Sequence, residues 1–338
     1  MRLFPNLWSR TKSLFGRVFR RAPPPPGRFE HGSKFSWRGL LLVAPWIWPG
    51  RDYLVYLPRG YSIWRRRPLL VLVHGCRQSA EDIASATGIT SFADALGCLV
   101  LLPKQNPKAN AWGCWNWFDR RTMAGAGETA ILAAQIRTVR RRYRVQRKRV
   151  FAAGLSSGAG LVATLALANS RLLTGMFLHS GIAAGAAASP ATALDVLKRG
   201  PDRDVMAIAR TAREEAGSRA HTLPALVLHG GRDNVVAPLH ASEIVRQVLA
   251  FARFEGVLPA PAPLPPPDRE RTYVTSDGRQ VTSREWLEGR RLLARLVLVH
   301  DLGHAWSGGD PSVAYSDPHE PRAMDLLRTF MADVVHYT

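Results

Sequence analysis

The chain reads as an α/β protein with a mostly parallel central sheet and helices on both faces. Two observations predict this: short apolar runs recur along the chain, and helical patterns separate them. The runs fall at residues 53–57, 69–73, 99–102, 150–153, 176–178, 225–228 and 296–299. They are continuous rather than alternating, as a strand covered on both faces requires. Between them, residues 128–143 carry Ile131, Leu132, Ile136 and Val139 on one helical stripe, and residues 161–168 form a second helical pattern. The alternation is interrupted twice, by insertions expected near residues 183–222 and 254–290. The first is Ala-rich and then charged, with helical spacing at Val205, Ile208 and Ala212. The second is Pro-rich over 258–267 and ends in a hairpin, where Ser276-Asp277-Gly278 turns between residues 271–275 and 279–282. A final helix is expected from Pro321 to about Val335, with proline in its first turn. All of this belongs to a single expected domain, residues 29–338, preceded by a basic extension, residues 1–28, that ends in the stiff run Pro23-Pro24-Pro25-Pro26.

Composition narrows the function classes. Of 338 residues 46% are hydrophobic, enough for a sizeable core. Lys and Arg number 46 against 26 acidic residues, a formal charge of +20. Clusters at residues 65–67 and 140–149 contribute, but arginine is also dispersed along the chain, and no motif with interleaved aromatics accompanies it. A nucleic-acid partner is therefore not expected. The three cysteines lack CxxC spacing, so no metal site is expected, and no cofactor is implied. No run reaches the 18 or so apolar residues of a membrane span, and a cleavable signal peptide is not evident, which leaves the compartment open. Residues 1–21 interleave Leu3, Phe4, Leu7, Trp8, Leu14, Phe15, Val18 and Phe19 with basic residues. That pattern suits either a basic amphipathic helix on an anionic membrane surface or a loosely docked extension.

The chemistry-bearing motif is Gly154-Leu155-Ser156-Ser157-Gly158, which follows an apolar run and precedes a helical pattern. That context is a nucleophile elbow, in which a sharp strand-to-helix turn lifts the serine hydroxyl above the sheet edge. A hydroxyl is a weak nucleophile and needs a base, and the base needs a carboxylate to fix its tautomer. Asp233 follows the run at 225–228 and His304 follows the run at 296–299, in the chain order Ser, acid, His. Loop placement favours this pair, with Asp301 as a rival acid and His300 or His229 as rival bases. The developing oxyanion needs backbone donors, expected from the amides of Ser157 and of Cys76, the latter in the turn that Gly75 permits after the run at 69–73.

These residues and several further blocks resemble the esterase family that includes poly(3-hydroxybutyrate) depolymerases. The blocks are His74-Gly75-Cys76-Arg77-Gln78-Ser79, Thr87-Gly88, Ala109-Asn110, Cys114-Trp115-Asn116-Trp117-Phe118, Gly127-Glu128, the Ser156 elbow, His179-Ser180-Gly181 and Gly303-His304-Ala305-Trp306-Ser307-Gly308-Gly309. The resemblance implies an α/β-hydrolase fold and ester hydrolysis through an acyl-enzyme. It carries the triad onto Ser156, Asp233 and His304 and an oxyanion donor onto Cys76. It also implies a Cys76–Cys114 disulfide, which leaves Cys98 as a buried free thiol. Trp115, Trp117 and Trp306 are candidates to line an apolar substrate groove, with ordinary packing as the alternative. The elbow departs from the family's usual Gly-Leu-Ser-Ala-Gly-Gly at Ser157 and Ala159, without loss of an amide donor.

The resemblance implies as substrate a 3-hydroxyalkanoate polyester, an oligomer or another small ester. The alternative within enzymes is a feruloyl or acetyl carboxylesterase acting on polysaccharide. The alternative outside enzymes is a catalytically silent binding protein that uses its positive charge.

Overall fold

The computed structural model describes residues 24–336. The amphipathic pattern at residues 1–21 lies outside the described residues. The strands are β1 (Arg28–Phe35), β2 (Gly50–Leu57), β3 (Leu69–Val73), β4 (Leu99–Pro103), β5 (Val150–Leu155), β6 (Gly175–His179), β7 (Ala225–Gly230), β8 (Arg269–Val274), β9 (Gln280–Glu288), β10 (Arg291–Val299), β11 (Trp306–Ser307) and β12 (Ser316–Asp317). The first ten form one sheet in the order β1-β2-β4-β3-β5-β6-β7-β10-β9-β8, and β11 pairs with β12. From β4 through β3, β5, β6 and β7 to β10 every pairing is parallel, while β1, β2, β8 and β9 add antiparallel margins. All seven apolar runs read from the sequence lie within β2 to β7 and β10.

The helices are α1 (Ala80–Thr87), α2 (Ile89–Leu96), α3 (Arg120–Met123), α4 (Gly127–Arg142), α5 (Ser157–Ala168), α6 (Pro190–Arg199), α7 (Val205–Ala216), α8 (Leu239–Ala252) and α9 (Ala323–His336). Because strand side chains alternate between faces, each apolar run supplies two cores. Leu69, Val71, Val73, Val150 and Ala152 face α4, α5 and α8, whereas Leu70, Leu72, Phe151, Ala153 and Phe177 face α1, α2 and α9. Burial of a single such leucine, valine or phenylalanine contributes about 1.5–3 kcal/mol, and both faces are filled in this way. Local signals set helix limits: the Ser79 hydroxyl accepts the Asp82 amide, the Asp82 carboxylate accepts the Ser79 amide, and α1 stops at Gly88 in the left-handed region.

The interrupted regions take two forms. Residues 183–222 contain α6 and α7, and α7 packs on α8 and α5. The second region contributes to the main sheet: β8 and β9 form the hairpin around Gly278, and β9 continues along β10. Its Pro-rich segment is pinned by Trp286, whose indole donates to Pro265 O at 2.9 Å, and by Arg246, which donates to Leu258 O and Ala262 O. Among the described residues no helix is long and apolar enough to cross a membrane.

Candidate active site

All parallel strands end at one edge of the sheet, so the loops after β3, β5, β7 and β10 meet there. Between β5 and α5, Ser156 takes φ 55° and ψ −121°, a conformation that costs a non-glycine residue about 1–3 kcal/mol. The turn is tight enough to exclude side chains on both sides. A Cβ at Gly154 would lie 2.5 Å from the Gly158 carbonyl carbon, and one at Gly158 would lie 2.4 Å from the carbonyl oxygens of Val73 and His74. The Ser156 amide donates to His179 O at 3.0 Å, which fixes the turn to β6.

The loops after β7 and β10 are joined directly. Gly231 N donates to Val299 O at 2.8 Å and Arg232 N to Leu302 O at 3.0 Å. A Cβ at Gly231 would stand 2.4 Å from His300 O, so glycine is what lets the two loops touch. This contact carries Asp233 to His304, whose Nδ1 lies 2.8 Å from Asp233 Oδ2. The other carboxylate oxygen accepts the amides of Val235 and Val236 at 2.9 and 2.8 Å. Burial alone would push the Asp233 carboxyl up. The His304 hydrogen bond and charge, the neighbouring His229 and the Val236 amide more than offset burial and hold it below the usual carboxylate value. An ionised Asp233 keeps the proton of His304 on Nδ1 and leaves Nε2 as an acceptor. Among the described residues neither Nε2 of His304 nor the Ser156 hydroxyl has a hydrogen-bond partner.

The rival residues are engaged elsewhere. Asp301 pairs with Arg279 at 3.5 Å, and His300 Nε2 lies 3.0 Å from Thr282 Oγ1 on the β9 side. His229 is buried, donates through Nε2 to Val236 O at 3.0 Å, and is pushed down in pKa by that burial, so it stays neutral beneath Asp233.

A buried network holds the loop after β3, which carries the Cys76 amide, against the start of α5. Ser157 opens α5, so its amide has no intrahelical acceptor, and among the described residues the Cys76 amide is likewise unpartnered. Gln78 accepts the Gly75 amide at 3.0 Å, Trp115 donates its indole N–H to His74 O at 3.0 Å, and Cys76 is disulfide-bonded to Cys114. Glu128 anchors the loop that follows: its carboxylate accepts the Asn116 amide at 2.7 Å, the Asn116 side chain at 3.0 Å, Gln105 at 2.6 Å and Arg51 at 3.3 Å. A buried carboxylate is tolerated when its lone pairs are met in this way. Cys98 is buried and unpaired, and burial pushes its thiol up to about 12.

The aromatic assignment needs correction. Trp115, Trp117 and Trp306 are 2%, 4% and 0% exposed, so none offers a ring to substrate. Their surfaces are taken by the core, including His179 stacked on Trp306 at 5.1 Å. The exposed aromatic beside the site is instead Trp112, 49% exposed, whose carbonyl accepts the Arg77 amide at 2.8 Å next to Cys76 and whose ring lies 6.0 Å from the Arg77 guanidinium carbon. Its position between Asn110 and Cys114 was the available signal. His179, in the His179-Ser180-Gly181 block, joins the elbow to the loop after β10. Its ring accepts the Ser307 amide at 3.1 Å while its carbonyl accepts the Ser156 amide. Among the described residues no group of three or more His, Cys, Asp or Glu is placed to hold a metal ion.

Comparison with known proteins agrees with this architecture. The model of the family described as esterase PHB depolymerase matches residues 51–262. Poly(3-hydroxyalkanoate) depolymerase C of Paucimonas lemoignei is 27% identical over 192 residues, which is 56% of this chain and 45% of that protein. Feruloyl esterase B of Thermothelomyces thermophilus is 26% identical over 208 residues, covering 58% of this chain and 70% of the relative. The chain therefore spans less than half of the depolymerase it matches. Among solved structures, an acetyl xylan esterase from Aspergillus awamori superposes with a TM-score of 0.66 at 15% identity, covering 90% of this chain and 99% of that one, a likeness of fold.

Proposed function

The chain belongs to the PHB depolymerase family of esterases, and on that premise we propose that it hydrolyses carboxylic esters through an acyl-enzyme formed on Ser156. The observation that carries this reading is the His304 Nδ1 to Asp233 Oδ2 contact of 2.8 Å at the sheet edge where the strained Ser156 elbow also ends. His304 Nε2 takes the hydroxyl proton as Ser156 Oγ attacks the ester carbonyl carbon. The carbonyl oxygen becomes an oxyanion and accepts the amides of Ser157 and Cys76, each such donor being worth about 3–4 kcal/mol in the transition state. Collapse of the intermediate breaks the bond to the alcohol, which leaves with the proton returned from His304. Water then repeats the sequence on the acyl-enzyme and frees the acid.

The substrate class we assign is a 3-hydroxyalkanoate ester, as polymer or oligomer. Support comes from the family and from the depolymerase relative. A feruloyl or acetyl carboxylesterase is the second reading, favoured by the feruloyl and acetylxylan esterase relatives and by the half-exposed Trp112 ring, which suits a planar aromatic acid. Hydrolysis of p-nitrophenyl esters, 3-hydroxybutyrate oligomers and methyl ferulate by wild type and Ser156→Ala separates the readings. Turnover is expected on the oligomers and absent in the variant. Preference for methyl ferulate would move the substrate assignment, and turnover surviving in folded Ser156→Ala would sink the mechanism.

A further inference from the structure

Outside the site, a trough along α4 is lined almost wholly by arginine. A cleft of about 810 Å³ is lined by Arg66, Arg137, Arg140, Arg141, Arg144 and Arg147 together with Val145, without a carboxylate in its wall. Arg137 and Arg140 also line an adjoining cleft of about 1030 Å³, to which Arg38 and Arg120 contribute. Among the described residues none of the six arginines makes an ion pair. Partial burial and the facing charges of Arg147 and Arg137 hold the Arg140 guanidinium below its usual value, the mark of cations packed without counter-charge.

Exposed apolar side chains stand at both ends of this trough. At one end the Trp37–Gly39 turn packs on α4, Arg121 donates to Leu40 O at 2.8 Å, and Asp119 accepts the amides of Leu42 and Val43 at 2.8 and 3.1 Å. Trp37 is 78% exposed there, Trp48 is exposed and packs with it on the Phe35 ring, and Leu42 and Trp46 are exposed on the segment between them. At the other end the Gln146 amide and side chain donate to Arg67 O and Arg66 O, which seats the loop holding Ile63 and Trp64 next to Arg144 and Arg147. Trp64 is 83% exposed. Helix α4, 16 residues and so about 24 Å long, separates the two ends.

We propose that this face docks on an anionic phospholipid bilayer. The arginines meet headgroup phosphates, and the tryptophans at either end enter the interfacial layer, where amphipathic rings are most stable. Charge complementarity selects the partner. Single-stranded nucleic acid, the other polyanion, is bound by aromatics interleaved with the charges so that successive bases stack. Here the rings flank the charges and are accompanied by Leu42 and Ile63, which have nothing to stack with and an acyl layer to enter.

The test is co-sedimentation of the full chain with vesicles of phosphatidylcholine alone and of phosphatidylcholine mixed with phosphatidylglycerol. Binding is expected to the mixed vesicles only and to weaken with salt. Each arginine near such a surface contributes about fivefold in partitioning, so Arg140→Gln with Arg144→Gln should weaken binding about 25-fold. Trp37→Ala with Trp46→Ala should also release the protein. Both double variants should keep wild-type turnover of a soluble p-nitrophenyl ester, which reports that they are folded. Vesicle binding equal to wild type in both variants would overturn the proposal, as would failure of wild type to bind, or tighter binding to a single-stranded oligonucleotide than to the vesicles.

Discussion

Asp233→Asn isolates the orienting carboxylate with little change in shape. Asp233 Oδ1 accepts the amides of Val235 and Val236, and Oδ2 faces His304 Nδ1 at 2.8 Å. An asparagine must keep its oxygen on the two amides, because the reverse orientation sets its NH2 against two N–H donors. Its NH2 then points at Nδ1 of His304, which must accept, so the imidazole proton moves to Nε2. That is the atom required to receive the Ser156 proton, and the base is filled before the reaction starts. The wrong tautomer in a triad of this kind lowers kcat by about 10⁴-fold, or about 5 kcal/mol of transition-state stabilisation. The assay is kcat on a p-nitrophenyl ester at neutral pH, with circular dichroism as the check on folding. Asp301→Asn, whose parent carboxylate pairs with Arg279, should stay close to wild type. A folded Asp233→Asn within tenfold of wild type, or a large loss in Asp301→Asn, would refute the reasoning.

Gly158→Ala should lose about 3 kcal/mol or more in denaturant unfolding, because the added methyl meets backbone oxygens at 2.4 Å that cannot move aside; a normal midpoint would contradict the elbow packing. Reducing Cys76–Cys114, 38 residues apart, should remove about 4 kcal/mol of loop-closure stabilisation and slow turnover by freeing the Cys76 amide; unchanged kinetics after confirmed reduction would detach that amide from the oxyanion. Acid should destabilise the fold through its buried histidines. Burial lowers the values of His74 and His229 and brings His179 to about 3 and His240 to about 4. A histidine depressed in the folded state contributes stability above its unfolded value, near 6.5, that is lost as the pH falls toward the folded value. Tm should therefore drop between about pH 6.5 and 4, with each histidine contributing a slope of up to about 1.4 kcal/mol per pH unit, and His240→Gln should flatten the profile by one proton. Trp112→Ala should lower kcat/KM about two- to tenfold for bulky acyl groups and spare acetate esters; an equal loss on both would remove Trp112 from acyl recognition.

The central strands were legible because a strand covered on both faces has no polar positions. Where burial and polarity part company the reading failed. Helix α8 is hard to read from sequence, since His240, Glu243, Arg246 and Gln247 lie on buried parts of its surface and blur the apolar stripe. They are tolerated because tertiary partners satisfy them: Gln247 exchanges hydrogen bonds with the backbone of Ala184, and His240 lies 2.8 Å from Val196 O. Strand β1, largely polar, is specified by its pairing with β2 rather than by its own residues. The loop placement of Ser156, Asp233 and His304 was legible because each follows an apolar strand run in a local strand-to-loop motif. The fate of Trp115, Trp117 and Trp306 could not, since residue type does not say toward which side of a loop a ring turns.

The residues hardest to read from sequence are those that hold the site's parts together. Each part hangs from a different strand, and transition-state stabilisation requires placement within about 0.5 Å, so something must bridge the strands. His179 bridges β5 to the loop after β10: its carbonyl takes the Ser156 amide and its Nε2 takes the Ser307 amide three residues beyond His304. The second contact requires an unprotonated Nε2, and complete burial, which brings His179 to about 3, keeps the ring neutral with its remaining proton on Nδ1 toward Ser180. Glu128 plays a comparable bridging part behind the Cys114 loop, where its side-chain oxygens accept four N–H donors from Arg51, Gln105 and Asn116. The proposed nucleophile and base thus share a bridge in His179, while Glu128 ties the Asn116 and Gln105 segments to Arg51 behind the Cys114 loop, and neither group needs to touch substrate.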